Sequence, residues 1–87
     1  ASYYVRFTVI DRPGVFAEIA AALRDNNVSM EQIIQRGRAP AEAVSVVLTT
    51  HEAKEKAILK TIDAIDQTDV VVEPTRMIRI EPFLFLS

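Results

Sequence analysis

The hydrophobic pattern changes from that of a strand to that of a helix at Asp11–Gly14, and this switch constrains the fold more than any other feature. Residues before it alternate in polarity, with one apolar side made of Tyr3, Val5, Phe7 and Val9. Residues after it are apolar at helical spacing, as Val15, Phe16, Ile19, Ala20 and Leu23. Proline suits a first helical turn and glycine allows close backbone approach. The pattern therefore predicts a strand over 3–10, a tight turn and a helix.

Three further segments complete the first half of the chain. The sequence "DNN" at 25–27 ends the helix, because asparagine tolerates the left-handed conformation of a helix C-terminus. Residues 28–36 are predicted to form a second strand, and "GRAPAE" at 37–42 a loop. The third strand, "AVSVVLTT" at 43–50, is apolar enough to be central in a sheet.

The second half ends with a helix and a strand. Thr49 and Glu52 have the spacing of a capping box, which predicts a helix start there. The buried side of that helix is expected to comprise Ala57, Ile58, Ile62 and Ile65. A fourth strand is predicted over 70–81, and Pro74 indicates that it lies at a sheet edge or bends there, because proline lacks a donor for the ladder.

This order of segments predicts an α+β, ferredoxin-like βαββαβ sandwich. Two split crossovers give a four-stranded antiparallel sheet in the order 4-1-3-2, with two helices on one face. The 87 residues make a single domain, 1–87, with its core over 3–81 and an apolar tail over 82–87. The chain starts directly in a strand pattern without a methionine, so we expect a domain taken from a longer enzyme.

Composition argues against several classes of partner. The net charge of −2 and the pI of about 5.3 disfavour nucleic acid and anionic membranes, which both select basic surfaces. The third strand also has no aromatic residue on which RNA bases could stack. No apolar run approaches the roughly 20 residues of a membrane span. Absence of cysteine excludes thiolate metal sites and fits a cytoplasmic location.

Residues suited to catalysis are sparse. The only histidine, His51, is interpreted as a partly exposed residue at the start of the second helix, and Asp63 and Asp66 as part of a solvated helix face. Arg12, Arg36 and Arg38 could bind an anion, although a solvated loop explains two of them as well. An acylphosphatase-like hydrolase would need a phosphate cradle, which a neighbouring aspartate would oppose. No catalytic residue or metal ligand is predicted.

The Asp11–Gly14 turn is the best candidate binding site. The first amides of a helix lack acceptors and attract a carboxylate. Here the amides of Gly14 and Val15 could receive the α-carboxylate of an amino acid, while Asp11 receives its α-ammonium group. The competing interpretation is that Asp11 only caps the helix, since aspartate is a favoured N-cap residue.

The stretch "YYVRFTVIDRPGVFAEIAAALRDNNVSMEQIIQ" resembles the first half of an ACT domain, a small amino-acid-sensing module of biosynthetic enzymes. The D-x-P-G turn after the first strand carries the resemblance. "MEQIIQRGR", "AVSVVLTTHEAKEKAI" and "MIRIE" are similar to the C-terminal ACT domain of homoserine dehydrogenases. The resemblance covers residues 3–81.

The resemblance implies a site and an assembly. The ligand would contact Asp11, Arg12, Pro13, Gly14, Val15, Asn27 and Ser29. A homodimer would form through the edges of the second strands, with an interface that includes Ser29, Glu31, Ile33 and Gln35. The effector is expected to be an end-product amino acid, with threonine the first candidate.

The same resemblance implies a role in amino-acid biosynthesis from aspartate. The parent enzyme would be an NAD(P)-dependent homoserine dehydrogenase, an oxidoreductase, whose catalytic domain and cofactor lie outside this chain. Two alternatives stay open. The domain could dimerise its parent without binding any ligand, since Val9 offers no polar group at the site. It could also belong to another amino-acid-biosynthetic enzyme such as aspartokinase.

Overall fold

The computed structural model describes residues 1–36 and 42–80. Its elements in chain order are the strand β1 (Ser2–Ile10), the helix α1 (Val15–Asp25), the strands β2 (Met30–Arg36) and β3 (Ala43–Thr50), the helix α2 (Glu55–Asp66) and the strand β4 (Val71–Ile80). The predicted apolar tail, most of the 37–42 loop and the side chains of Arg36 and Arg38 lie outside the described residues. No helix in the described part is long and apolar enough to cross a membrane.

The sheet has the predicted topology. Its order is β2-β3-β1-β4, and all neighbours are antiparallel. β3 is central, as its apolar sequence predicts, and β1 is the other central strand. β2 and β4 are the edges, and β4 carries Pro74 as expected.

Side chains of one sheet face form the core under the helices. Alternation along β1 buries Tyr3, Val5, Phe7 and Val9, each at most 2% exposed. Their partners on β3 are buried as well, since Phe7 lies opposite Val46 and Val9 opposite Val44. The other face of β1 carries Tyr4, Arg6, Thr8 and Ile10, none of which is buried. The period-two prediction for β1 is confirmed.

The buried stripe of α1 is narrower than its sequence predicts. Val15, Ile19 and Leu23 are buried at intervals of four residues. Phe16 is 44% exposed and Ala20 is exposed, so these two residues share the apolar spacing of the helix but not its buried face. Residues one position further along a helix point about 100° away around its axis, and only one line of residues faces the sheet here.

The end of α1 agrees with its sequence. Asn27 has φ of 56°, the left-handed conformation expected after the helix. The amide of Val28 donates to the carbonyl of Leu23 at 2.9 Å, which closes the last turn. Val28 is buried in the core, although β2 itself begins two residues later.

The predicted capping box at Thr49 and Glu52 is wrong. α2 begins only at Glu55, with Lys54 in the N-cap position. Thr49 instead continues β3, paired with Tyr4 on β1, because ladder hydrogen bonds hold it in extended conformation. Sequence spacing alone did not distinguish the end of a paired strand from the start of a helix.

Candidate functional site

The turn between β1 and α1 is held by backbone contacts to two other segments. The amide of Ile10 donates to the carbonyl of Val70 at 2.8 Å. The amide of Asp11 donates to the carbonyl of Glu42 at 2.9 Å. The turn is therefore anchored to the starts of β3 and β4 and presents a fixed backbone to its surroundings.

Gly14, and not Asp11, occupies the N-cap position of α1. Its φ is +89°, a left-handed conformation that favours glycine. A glycine has no side chain with which to cap the helix, so the interpretation of Asp11 as the N-cap is wrong. The backbone amide of Glu18 donates to the carbonyl of Gly14 at 3.0 Å. The backbone amide of Val15 donates to the carbonyl of Arg12 at 3.4 Å.

The amides of Phe16 and Ala17, the next two along α1, have no backbone acceptor within residues 1–36 and 42–80. Unpaired first-turn amides carry partial positive charge and attract anions. The amide of Val15 already donates to the carbonyl of Arg12, so the first two amides without a backbone acceptor inside α1 lie two residues further along than the Gly14 and Val15 pair that the sequence suggests.

A cavity of about 160 Å³ lies beside this turn. It is much smaller than the roughly 300–1,000 Å³ of a site for a drug-sized ligand, and its size suits a small metabolite. Residues from β1, the turn, α1, β2 and β3 line it: Val9, Ile10, Asp11, Arg12, Gly14, Val15, Phe16, Gln35, Val44 and Val46.

The two sides of this cavity differ in chemistry. Asp11 and Gln35 supply polar groups near the helix N-terminus. Val9, Val44 and Val46 supply an apolar wall and are at most 7% exposed. Such an arrangement suits a ligand with a charged head group and a small aliphatic side chain.

Only some of the predicted site residues gather at this cavity. Asp11, Arg12, Gly14 and Val15 line it, and Pro13 is exposed in the same turn. Asn27 and Ser29 instead follow the far end of α1, whose 11 residues span about 16 Å. Asn27 lines another cavity with Lys54, Lys56 and Lys60 among others. A single copy of the chain therefore does not bring all seven residues together.

The sequence analysis placed Val9 at the site but missed Val44 and Val46, and it assigned Gln35 only to the interface. Gln35 lies opposite Val46 and shares the helix-covered face of β2 with Ile33. Alternation from Ile33 could have placed Gln35 on that face. This alternation was not recognised in the sequence, because the adjacent apolar residues Ile33 and Ile34 interrupt the two-residue period of β2.

Arg12 forms an ion pair beside the cavity. Its guanidinium donates to the Asp69 carboxylate at 2.6 Å and so ties the turn to the segment before β4. This hydrogen bond raises the pKa of Arg12 and lowers that of Asp69. Both groups are well exposed, so solvent weakens the pair.

The Asp69 contact predicts a small acid-dependent loss of stability. A carboxyl whose pKa is lowered by folding stabilises the protein above its unfolded pKa, about 3.9, and loses that contribution as pH falls through the lowered value. We expect Asp69→Asn to be slightly less stable than the parent at pH 7 and equal to it near pH 2. Thermal unfolding at both pH values in low salt measures this. A difference that persists at pH 2 would contradict the assignment.

His51 lies in the loop between β3 and α2. It precedes α2 by four residues and does not belong to its first turn, which corrects the sequence interpretation. Its Nδ1 is 3.6 Å from the Glu31 carboxylate, and its side chain is 58% exposed. Its amide donates to the carbonyl of Ser29. These contacts connect the loop to β2.

Comparison with known proteins identifies the relatives of this chain. The model of the ACT domain family matches residues 3–67. Homoserine dehydrogenase of Neisseria gonorrhoeae is 42% identical over 81 residues, and that of Mycobacterium tuberculosis is 35% identical over 83 residues. The alignments cover 93% and 91% of this chain but only 19% of each relative, within its C-terminal region.

Solved structures agree with these matches. A homoserine dehydrogenase from Thiobacillus denitrificans superposes with a TM-score of 0.83 at 34% identity, covering 92% of this chain and 17% of that one. The ACT domain of a GTP pyrophosphokinase from Chlorobium tepidum has a TM-score of 0.71 at 10% identity, which supports the fold alone. With its D-x-P-G turn, sheet order and family match, the chain belongs to the ACT domain family.

Proposed function

We propose that this domain senses an end-product amino acid, threonine being the first candidate, and regulates a homoserine dehydrogenase catalytic region to which it is joined. The cavity beside the Asp11–Gly14 turn is the observation that carries this proposal. Kinship with the C-terminal region of homoserine dehydrogenases supplies the parent enzyme.

The ligand's groups match the groups of the cavity. Its α-carboxylate would accept hydrogen bonds from the amides of Phe16 and Ala17, which have no backbone acceptor in the described part of the chain. Its α-ammonium group would contact Asp11. A short branched side chain would then contact the valine wall, which favours threonine over charged or long amino acids.

A second copy of the chain would complete the site. The edge of β2 has no neighbouring strand in the described sheet, and an exposed edge can pair with another chain. If two β2 strands pair antiparallel about a two-fold axis, the start of one strand lies beside the end of the other. Ser29 and Glu31 of the second copy would then approach Gln35 at this cavity. The arrangement explains how Ser29 can serve a site from which it is distant within one copy.

Ile34→Lys is expected to weaken this dimer about tenfold or more, because two-fold symmetry brings like charges together at the seam. Ile34 is 47% exposed and is the better probe, whereas the predicted interface residue Ile33 packs on the core. Ile78→Lys is the matched control, since Ile78 is 60% exposed on the opposite edge strand. Sedimentation equilibrium measures both variants. Equal dissociation constants would contradict β2 pairing.

Isothermal titration with threonine, isoleucine, serine and methionine tests the proposal, with sedimentation alongside. Selective saturable binding supports a sensor and identifies its effector, even at a Kd of about 1 mM. Absence of heat from every amino acid, with an intact dimer, would contradict it.

A dimerisation domain without a ligand is the second candidate. The valine wall favours it, because Val9, Val44 and Val46 offer a ligand no hydrogen bond. In that case the dimer would form equally with and without amino acids. An aspartokinase parent is a further alternative, tested by joining the domain to each type of catalytic region.

NAD(P) belongs to the parent enzyme in this proposal. The sequence contains glycine only at Gly14 and Gly37, so it lacks the glycine-rich loop that binds a dinucleotide pyrophosphate. The residues of this chain therefore do not fit the cofactor. Bound effector would act on the catalytic region only through its different affinity for two arrangements of the dimer.

A further inference from the structure

Two arginines face each other across the open side of the sheet. Arg6 on β1 lies directly opposite Arg76 on β4 in the antiparallel register. Directly opposed side chains have Cβ atoms about 4.5–5.5 Å apart, and like charges at that spacing repel each other. Both side chains are exposed, and in the part of the chain that the structure describes neither has a carboxylate within 4.0 Å.

A cavity of about 320 Å³ lies at this pair. It is lined by Arg6, Thr8, Glu73, Pro74 and Arg76. The register between β1 and β4 shifts at Arg6/Thr8, beside this cavity, and such an irregularity bends the strand locally. The cavity is separate from the first one, because successive residues of β1 point to opposite faces and Val9 lines the other face.

The charged groups that line this second cavity match one particular class of ligand. The lining includes the guanidinium groups of Arg6 and Arg76, the carboxylate of Glu73 and the hydroxyl of Thr8. A ligand with two carboxylates and one ammonium group matches them in number and sign. We propose that this cavity binds an acidic amino acid. Arg6 and Arg76 bind the two carboxylates of the ligand, and this removes the repulsion between the two arginines. Glu73 contacts the ammonium group of the ligand.

Binding of L-aspartate to the full chain tests the proposal by isothermal titration, with succinate and inorganic phosphate as comparison ligands. L-Aspartate is expected to bind saturably and more tightly than either one, since succinate lacks the ammonium group. Arg6→Gln and Arg76→Gln are each expected to weaken its binding about tenfold or more, the usual effect of losing a charged hydrogen bond. Arg24→Gln is the matched control, because Arg24 pairs with Asp25 on α1, and it should not change binding.

Two further variants make the result specific. Glu73→Gln is expected to abolish the preference for L-aspartate over succinate. Asp11→Asn should leave L-aspartate binding intact, so failure of this site is distinguishable from failure of the amino-acid sensor. Equal binding by the parent and both arginine variants would overturn the proposal, as would equal binding of phosphate and L-aspartate.

The folded state provides an independent measurement. Without ligand and in low salt, Arg6→Gln is expected to raise the melting temperature, because the like-charge pair is gone. That result also shows that the variant folds. A lowered melting temperature would contradict the repulsion on which the proposal rests.

Discussion

Phe7→Ala is expected to lower the free energy of unfolding by about 3–5 kcal/mol, the usual effect of removing a buried phenylalanine. Phe7 is 1% exposed at the centre of β1, where it lies opposite Val46. Truncation leaves a void between the sheet and the helices that neighbouring side chains fill only in part. A domain of this size has about 5–15 kcal/mol of total stability, so the variant should be close to unfolding. Urea denaturation followed by circular dichroism measures the change.

Phe16→Ala provides the matched control for this prediction. The same atoms are removed, but Phe16 is 44% exposed on α1. Its effect on unfolding should therefore be below about 1 kcal/mol, as is usual for surface positions. Because Phe16 lines the first cavity, its loss should act on ligand binding instead. Equal destabilisation by the two variants would contradict the position of the Phe16 side chain on the surface.

Asp11→Asn is expected to weaken threonine binding at least tenfold. The substitution keeps the shape of the side chain and removes the charge that would pair with the ligand's ammonium group. A hydrogen bond to a charged group contributes about 1.5–3 kcal/mol. No helix-capping contribution should be lost, because Gly14 and not Asp11 is the N-cap of α1. Isothermal titration and thermal unfolding of the same sample measure both quantities.

Asp25→Asn is the control for Asp11→Asn. Asp25 ends α1 and pairs with Arg24, far from the cavity. This variant should bind threonine like the parent. Unchanged affinity in Asp11→Asn would place the ammonium group elsewhere, and a loss of stability with intact binding would likewise contradict a ligand-binding role for the Asp11 carboxylate.

The strand and helix pattern was largely predictable because local periodicity reports burial directly. The alternation from Tyr3 to Val9 corresponds to the buried face of β1, and Asn27 adopts the left-handed conformation that its position suggested. Pro74 correctly indicated an edge strand. Each of these signals depends on residues close in sequence.

Errors arose where a residue's partner is distant in sequence. Thr49 and Glu52 have the right spacing for a capping box, but pairing with Tyr4 on β1 keeps Thr49 in a strand. Phe16 belongs to the apolar pattern of α1, but the sheet lies under only one line of that helix. Local patterns do not contain this information.

The sequence by itself determined the order of helices and strands along the chain and, from it, the order of strands in the sheet. It also determined the D-x-P-G turn, which indicated the ACT family. Only the tertiary structure decided what lies beside the turn, because the cavity there needs Gln35 and Val46 from strands far along the chain. The same holds for the opposed arginines Arg6 and Arg76, which are 70 positions apart and meet only through the β1–β4 register. Periodicity shows which face a side chain takes, and strand register decides what it faces.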